Sequence, residues 1–188
     1  MMKTKQALSK NYGFSLIELI VVIILIGILA VSVGSRFVGT DGFAELTYQS
    51  RLISSLRAMQ TRAMYDTRPP TVTNPSGYCF QINFRDSPAA FGPPTLDYTA
   101  ANGSATCSTT INFTTSQHLS TTNSEMADNK VSLVELLDGV DSIVYIGFDD
   151  LGRPLTSANN CSADCQITFK GEQSARVCIK SQGYIYAC

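Results

Sequence analysis

The sequence predicts an α+β chain in which a long N-terminal helix is followed by an antiparallel β domain. Three observations predict it. Residues 14–33 form a run in which 16 of 20 are apolar. Residues 48–63 carry apolar side chains at helical spacing. From residue 71 onward the pattern has a period of two and is punctuated by Gly, Pro and Asp turns. The chain has 188 residues, 44% hydrophobic and 15% charged, with a net charge of −1. Its mean hydropathy is +0.07. These values exclude a collagen, a long disordered chain and a polytopic membrane protein, and they argue against a strongly basic nucleic-acid binder. The average blends two unlike parts, because without the 14–33 run the rest of the chain averages about −0.3, an ordinary value for a soluble domain.

As a helix, a run of 20 residues covers about 30 Å, which matches a bilayer core. Lys3, Lys5 and Lys10 precede it with no acidic residue among 1–13, so the positive-inside rule keeps that end cytoplasmic and exports the rest. A cleaved secretory signal is the competing reading. The run exceeds the 7–15 residues of such an apolar region, and no clear A-x-A site follows it. A carboxylate, Glu18, also sits inside the run. A charge there costs roughly 2.5–3.5 kcal/mol at a helix centre and less near an end, so it marks a function and calls for a cationic partner.

The stretch Lys10-Asn11-Tyr12-Gly13-Phe14-Ser15-Leu16-Ile17-Glu18 resembles the processing site of type IV prepilins and pseudopilins. The resemblance implies cleavage after Gly13 by a prepilin peptidase and N-methylation of the new N-terminal Phe14. It makes Glu18 the fifth mature residue and the assembly residue. It further implies a single-pass inner-membrane protein with a periplasmic C-terminal domain, later carried into a pilus or pseudopilus. The implied partners are other pilin subunits, the peptidase and an inner-membrane assembly platform. The physics agrees with this. Cleavage would create an ammonium at Phe14 with which Glu18 of the same or a neighbouring subunit can pair. A buried pair of that kind adds little net stability but penalises wrong registers.

Gly34, Gly39 and Gly42 follow the run and allow a bend or break near 39–42. Beyond it, Tyr48, Leu52, Leu56, Met59 and Ala63 make one apolar stripe, while Arg51, Ser54, Ser55, Arg57, Thr61 and Arg62 form the opposite face. The stripe reads as packing against a sheet. Arg68-Pro69-Pro70 stops the helix. The organisation expected is a leader at 1–13, a transmembrane and assembly helix at 14–34, an amphipathic helix at 35–68 and a β domain at 69–188.

In that domain Tyr78, Phe80, Ile82 and Phe84 alternate with polar residues and Cys79. Further strands are expected at 110–114, 131–137, 142–148, 165–170, 175–180 and 184–187. Residues 99–124, rich in Ser, Thr and Asn, read as a long loop or β-insertion. The Arg-rich turn near Arg57 and Arg62, with Phe148 and Gly152-Arg153-Pro154 before a terminal hairpin, resembles the branch of H-type minor pseudopilins and related minor pilins. That likeness implies a helix packed on two small sheets. Residues 51–68 resemble a minor pilin of the mannose-sensitive haemagglutinin (MSHA) pilus.

All six cysteines, Cys79, Cys107, Cys161, Cys165, Cys178 and Cys188, lie after the apolar run. An even count in an oxidising compartment reads as disulfides. In a terminal hairpin with a three-residue loop at 182–184, Cys178 falls opposite Cys188 and apolar faces apolar, which favours that pairing. Cys161–Cys165 and Cys79–Cys107 follow by remainder. Each bridge is worth roughly 2–4 kcal/mol. Zinc is disfavoured, because there is one histidine and the close cysteines are spaced C-x3-C.

His118 lies in the Ser/Thr-rich loop. No G-x-S-x-G, Walker A, G-x-G-x-x-G or H-E-x-x-H motif occurs, which argues against an enzyme, and no cofactor is expected. Asp138, Asp141, Asp149, Asp150 and Asp164 lack EF-hand spacing, so no metal site is expected. Arg176, Lys180, Tyr184 and Tyr186 share a face of the expected hairpin and suit a DNA or surface contact. Residues 69–188, however, carry 6 Lys/Arg against 11 Asp/Glu, a net −5, which repels nucleic acid. The expected function is a structural minor pilin of a type IV, MSHA-like pilus. The alternatives are a type II secretion pseudopilin and a pilus-borne binding module. Replacing Glu18 by Ala or Val is expected to leave the chain processed but poorly incorporated. Quantifying it in sheared filament fractions checks this, and wild-type incorporation refutes the pairing role.

Overall fold

In the computed structural model, residues 15–37, 43–67, 79–94, 107–114 and 117–188 are described. The chain divides into two units, residues 1–40 and 41–188. The first holds helix α1, Leu16–Phe37. The expected break at 39–42 lies outside the described residues. Among the described residues no helix is long and apolar enough to cross a membrane. Side chains are described in α1 only from Leu16 to Ile28, 13 residues, or about 20 Å of helix. The span inferred for 14–34 therefore remains a reading of the sequence.

The second unit begins with helix α2, Ala44–Tyr65. Its strands are β1 (Gln81–Arg85), β2 (Ala90–Gly92), β3 (Ser132–Asp138), β4 (Asp141–Ser142), β5 (Tyr145–Phe148), β6 (Pro154–Thr156), β7 (Cys165–Lys170), β8 (Ser174–Ile179) and β9 (Ile185–Ala187). A 3-10 turn at Gln117–Leu119 and a short helix α3, Asn123–Asp128, precede β3. The strands form two antiparallel sheets, ordered β2-β1-β5-β6 and β4-β3-β7-β8-β9.

The stripe read from the sequence is what α2 buries. Tyr48, Leu52, Leu56, Met59 and Ala63 are all in the core. Strands of both sheets, β1 and β5 from one and β7, β8 and β9 from the other, lie against this helix. Phe91 of the first sheet meets Phe169 of the second edge-on, with ring centroids 6.0 Å apart. Tyr48 stands 6.2 Å from the same Phe169 ring. Complete burial of Leu52, Leu56 and Met59 is worth roughly 1.5–3 kcal/mol each. Ser55, expected on the outer face, is buried instead. It lies one residue before Leu56, and its small side chain fits beneath the sheets.

Polar groups on α2 tie down the ends of the β elements. The two amide hydrogens of Gln60 Nε2 go to the carbonyls of Gly152 and Gly183, each at 2.7 Å. Those carbonyls belong to the β5–β6 turn and the β8–β9 turn, so one side chain joins the two sheets. Gly183 has φ of +89°, and a Cβ there would lie 2.1 Å from the Gly152 carbonyl oxygen. Arg57 donates to the Ile185 carbonyl at 2.8 Å. At the other end, the buried Glu45 carboxylate accepts the Gln173 N–H at 2.9 Å.

The 99–124 stretch, expected as a long loop or β-insertion, packs against β1 among the residues described there. Ser108 and Thr110 carbonyls accept from Asn83 Nδ2 at 2.9 and 3.1 Å, and Gln81 Nε2 donates to Ser108 at 3.3 Å. The segment therefore covers the outer face of β1, which is why Gln81 and Asn83 are buried despite their polar positions. Of the strand expected at 110–114 only a bridge between Ile111 and Pro94 exists. Helix α3 was not expected. Its start is a capping box in which Thr122 and Glu125 exchange hydrogen bonds, and the spacing Thr122-x-x-Glu125 is visible in the sequence. Glu125 also pairs with Arg51 of α2 at 3.2 Å. The Thr122 N–H first, and then its hydroxyl and Arg51, hold the Glu125 carboxyl below its usual range against the opposing effect of burial. This contribution is present at neutral pH and is lost as pH falls through the lowered value. It is small at an exposed site.

The terminal hairpin also corrects an expectation. Cys178 lies opposite Tyr186, Val177 opposite Ala187 and Ile179 opposite Ile185. This is a shift of two residues from the register read in the sequence. The loop runs from Lys180 to Tyr184, closed by Lys180 N–H to the Tyr184 carbonyl and Gly183 N–H to the Lys180 carbonyl. A shift of two keeps every side chain on its own face, so apolar still meets apolar. Inside the Lys180–Tyr184 pair the loop is residues 181–183, as long as the one expected but displaced by one position, and it brings the Gly183 carbonyl to Gln60. Strands β2 and β6 were also not expected, being three residues each and too short to show a period.

Replacing Gln60 by Ala strands the Gly152 and Gly183 carbonyls and is expected to cost about 1–3 kcal/mol. Gly183→Ala adds backbone strain and a clash, for roughly 2–6 kcal/mol. Denaturant unfolding of the disulfide-intact full chain in detergent measures both. Equal stability of the Gly183 variant and wild type would refute the clip.

Candidate assembly site and surface of the β unit

Helix α1 begins at the Ser15 carbonyl, which accepts from Glu18 N–H at 3.0 Å and Leu19 N–H at 3.2 Å. Glu18 therefore lies in the first turn, where the positive end of the helix dipole favours a carboxylate. Leu16, Ile17, Leu19, Ile20, Val21, Val22 and each large residue on to Ile28 are exposed, with Leu16 at 77%. They surround the helix on all sides instead of forming one face. A surface of that kind in water is costly and marks a segment meant for lipid or for other helices. Gly13 and Phe14 lie outside the described residues.

The cysteines are joined as Cys79–Cys107, Cys161–Cys165 and Cys178–Cys188, with Cα separations of 5.6, 4.8 and 5.9 Å. Each serves a local purpose. Cys79–Cys107 roots the segment that covers β1. Cys178–Cys188 ties the chain end diagonally across β8 and β9. Cys161–Cys165 closes the turn before β7.

Cys178, Arg176 and Tyr186 share the outer face of β8 and β9, as their register requires. The Tyr184 ring stacks on Tyr186 at 5.1 Å and an interplanar angle of 19°. Lys180 Nζ sits 2.5 Å from Asp164. That carboxylate, accepting from the ammonium, holds Lys180 above its usual range. The patch thus offers one exposed arginine and an aromatic pair, with its lysine already neutralised. A sequence reading of Arg176, Lys180, Tyr184 and Tyr186 as a basic–aromatic surface could not see Asp164, which approaches from 16 residues away.

Asp149, Asp141 and Asp138 serve the fold, and Asp150 is exposed. Asp149 accepts from Leu151 N–H, Arg153 N–H and Arg153 Nε, which shapes the β5–β6 turn. Asp141 accepts from Asn159 at 2.6 Å. Asp138 is buried and organises the 156–161 turn. His118 is exposed in the 3-10 turn. One donor cluster among the described residues could hold a metal, Asp138 with Cys161 and Cys165. With the two sulfurs bonded to each other it offers no thiolate. Sequence reasoning missed Gln60, Glu45 and Asp138 as organising residues, and no local pattern marks them.

Residues 8–34 match a family model described as the prokaryotic N-terminal methylation motif. The match supports the type IV prepilin and pseudopilin family and bears on 27 of the 188 residues. No curated protein matches the chain, and no solved structure does.

The neutralised lysine generates an expectation. The full chain in detergent should not shift single- or double-stranded DNA on a gel at low salt. A shift that weakens with added salt and is lost in Arg176→Ala would reinstate a nucleic-acid surface.

Proposed function

We propose that this chain is a structural minor subunit of a type IV pilus, of the MSHA-like kind, and not an enzyme. The observation that carries the reading is the methylation motif at 8–34, falling on a helix whose described apolar side chains are exposed all round. In this reading the basic leader stays in the cytoplasm while residues 14–34 hold the chain in the inner membrane. A prepilin peptidase cuts between Gly13 and Phe14, and Phe14 is methylated. The freed ammonium then becomes available to Glu18. Extraction from the bilayer moves α1 from lipid into a bundle of like helices, which exchanges one apolar environment for another. That exchange costs little, so a single ion pair can decide the register. The β unit is closed on itself by α2 and three disulfides. In this reading the subunit is used in few copies, to start or cap a filament.

A strain lacking this gene is expected to lose surface pili while secreting its exoproteins normally, and complementation should restore the pili. Normal piliation with accumulation of periplasmic exoproteins would instead make it a type II secretion pseudopilin. Mass spectrometry of the chain from filaments should show an N-terminus at Phe14 carrying one methyl group.

A further inference from the structure

We propose that the end of the β unit that carries Phe43 and Leu46 is a docking surface for the lipid bilayer, on which the unit lies before assembly. This rests on the reading of residues 14–34 as the membrane anchor. Phe43 and Leu46 are 66% and 47% exposed. They stand three residues apart at the start of α2, a spacing that puts both on one face of the helix. Phe43 occupies the N-cap position and its side chain makes no cap, although that position normally takes Ser, Thr, Asp or Asn. The ring is left in water, where an apolar group of its size is unfavourable.

Three stretches of chain meet at this end. The Glu45 carboxylate, next to Leu46, accepts the Gln173 N–H at 2.9 Å. A Cβ on Gly171 would collide with that carboxylate and lie 3.2 Å from Val131. Lys130 and Lys170, the residues just before Val131 and Gly171, are thereby brought to the same end, and both are exposed. Among the described residues neither lysine is in an ion pair. Asp128 and Glu172 are exposed here as well. Their side chains are shorter, whereas a lysine stem runs outward along apolar surface and sets its ammonium at the depth of lipid phosphates. An aromatic ring, a leucine and two lysines at one end are the composition of a membrane-interface contact.

The occupant follows from the connectivity of the chain. Nine residues, 34–42, separate the apolar run from Phe43. The chain is helical as far as Phe37, so about 6 Å of helix follows Val33 and six further steps add at most about 22 Å. The anchored chain therefore cannot carry Phe43 more than about 28 Å from the end of the run. A contact tethered this closely is intramolecular and has a high effective concentration, so a small patch is sufficient. A soluble partner gains no such advantage. Met64, Tyr65 and Leu151 are also exposed, but Met64 lies about 30 Å along α2 from Phe43. Leu151 belongs to the turn packed against Met64, and Arg153 of that turn is paired with Asp149.

The chain contains no tryptophan, so a single introduced Trp reports its own surroundings. The test places the full chain in nanodiscs of phosphatidylethanolamine and phosphatidylglycerol, with and without brominated acyl chains, and reads Trp quenching. Ile23→Trp, inside the run, should be strongly quenched by the brominated lipid. Phe43→Trp should be quenched at least about twofold more than Leu151→Trp. Adding Lys130→Glu and Lys170→Glu to Phe43→Trp should remove at least about half of that quenching. Leu46→Trp is a second reporter on the same face. No quenching of Ile23→Trp removes the anchor reading and the docking with it. Quenching of Ile23→Trp while Phe43→Trp and Leu46→Trp stay at the level of Leu151→Trp leaves the anchor standing and overturns the docking. Quenching of Phe43→Trp that charge reversal does not change also overturns it. So does shielding of Phe43→Trp from aqueous iodide that appears only as more chains are loaded per nanodisc, which would make a second copy the occupant.

Discussion

Neither sheet of the β unit can shield its inner face from water without the apolar stripe of α2. Sheets of four and five short strands are marginal alone and need a covering layer. Tyr48, Leu52, Leu56, Met59 and Ala63 provide that layer for both at once. The rest of the unit follows from this shared surface. Ile82, Phe84, Ile146 and Phe148 close on it from one side, and Ile167, Phe169, Val177, Ile179 and Ile185 close on it from the other. Gln60 then sets the relative position of the two sheets, because its one amide nitrogen must reach both turn carbonyls.

The buried carboxylates and the disulfides work at shorter range. Glu45, in the first turn of α2, anchors the start of the helix to the β7–β8 turn, and Asp138 holds the turn that carries Cys161. The disulfides span 28, 4 and 10 residues. Loop-closure entropy grows only slowly with length, so even the longest adds only a few kcal/mol. Their position matters more than their number. Each secures one local segment: the cover over β1, the turn before β7, where Cys161 and Cys165 themselves enter the core, and the strand β9 end of the last hairpin.

The two units have opposite relations to their surroundings. Among the described residues of 41–188 a common core buries large apolar side chains from α2 and both sheets, whereas α1 leaves its own exposed from Leu16 to Ile28. A chain built this way is complete only when the first unit finds lipid or other helices. The function proposed above uses that incompleteness, since lipid and a bundle of like helices both cover α1 and a single ion pair can decide between registers.

Features carried by neighbouring residues were legible in the sequence. The apolar run, the basic leader, the place of Glu18 and the α2 stripe each depend on spacing within a few turns of one helix. The inward alternation of Phe80, Ile82 and Phe84 and the strands at β3, β7 and β8 depend on a period of two. The capping box at Thr122 and Glu125 was equally local but lay hidden in a stretch whose composition reads as loop. What only the tertiary structure decided was pairing between distant parts. The hairpin register moved by two because the Gly183 carbonyl answers to Gln60, 123 residues away. Gln81 and Asn83 are buried because residues 108–110 lie over them. The charge of Lys180 is balanced because the Asp164 carboxylate pairs with it. Periodicity reports which face a side chain takes; it carries no information about what arrives at that face from elsewhere in the chain. That partner is set by the lowest free energy of the whole packed unit.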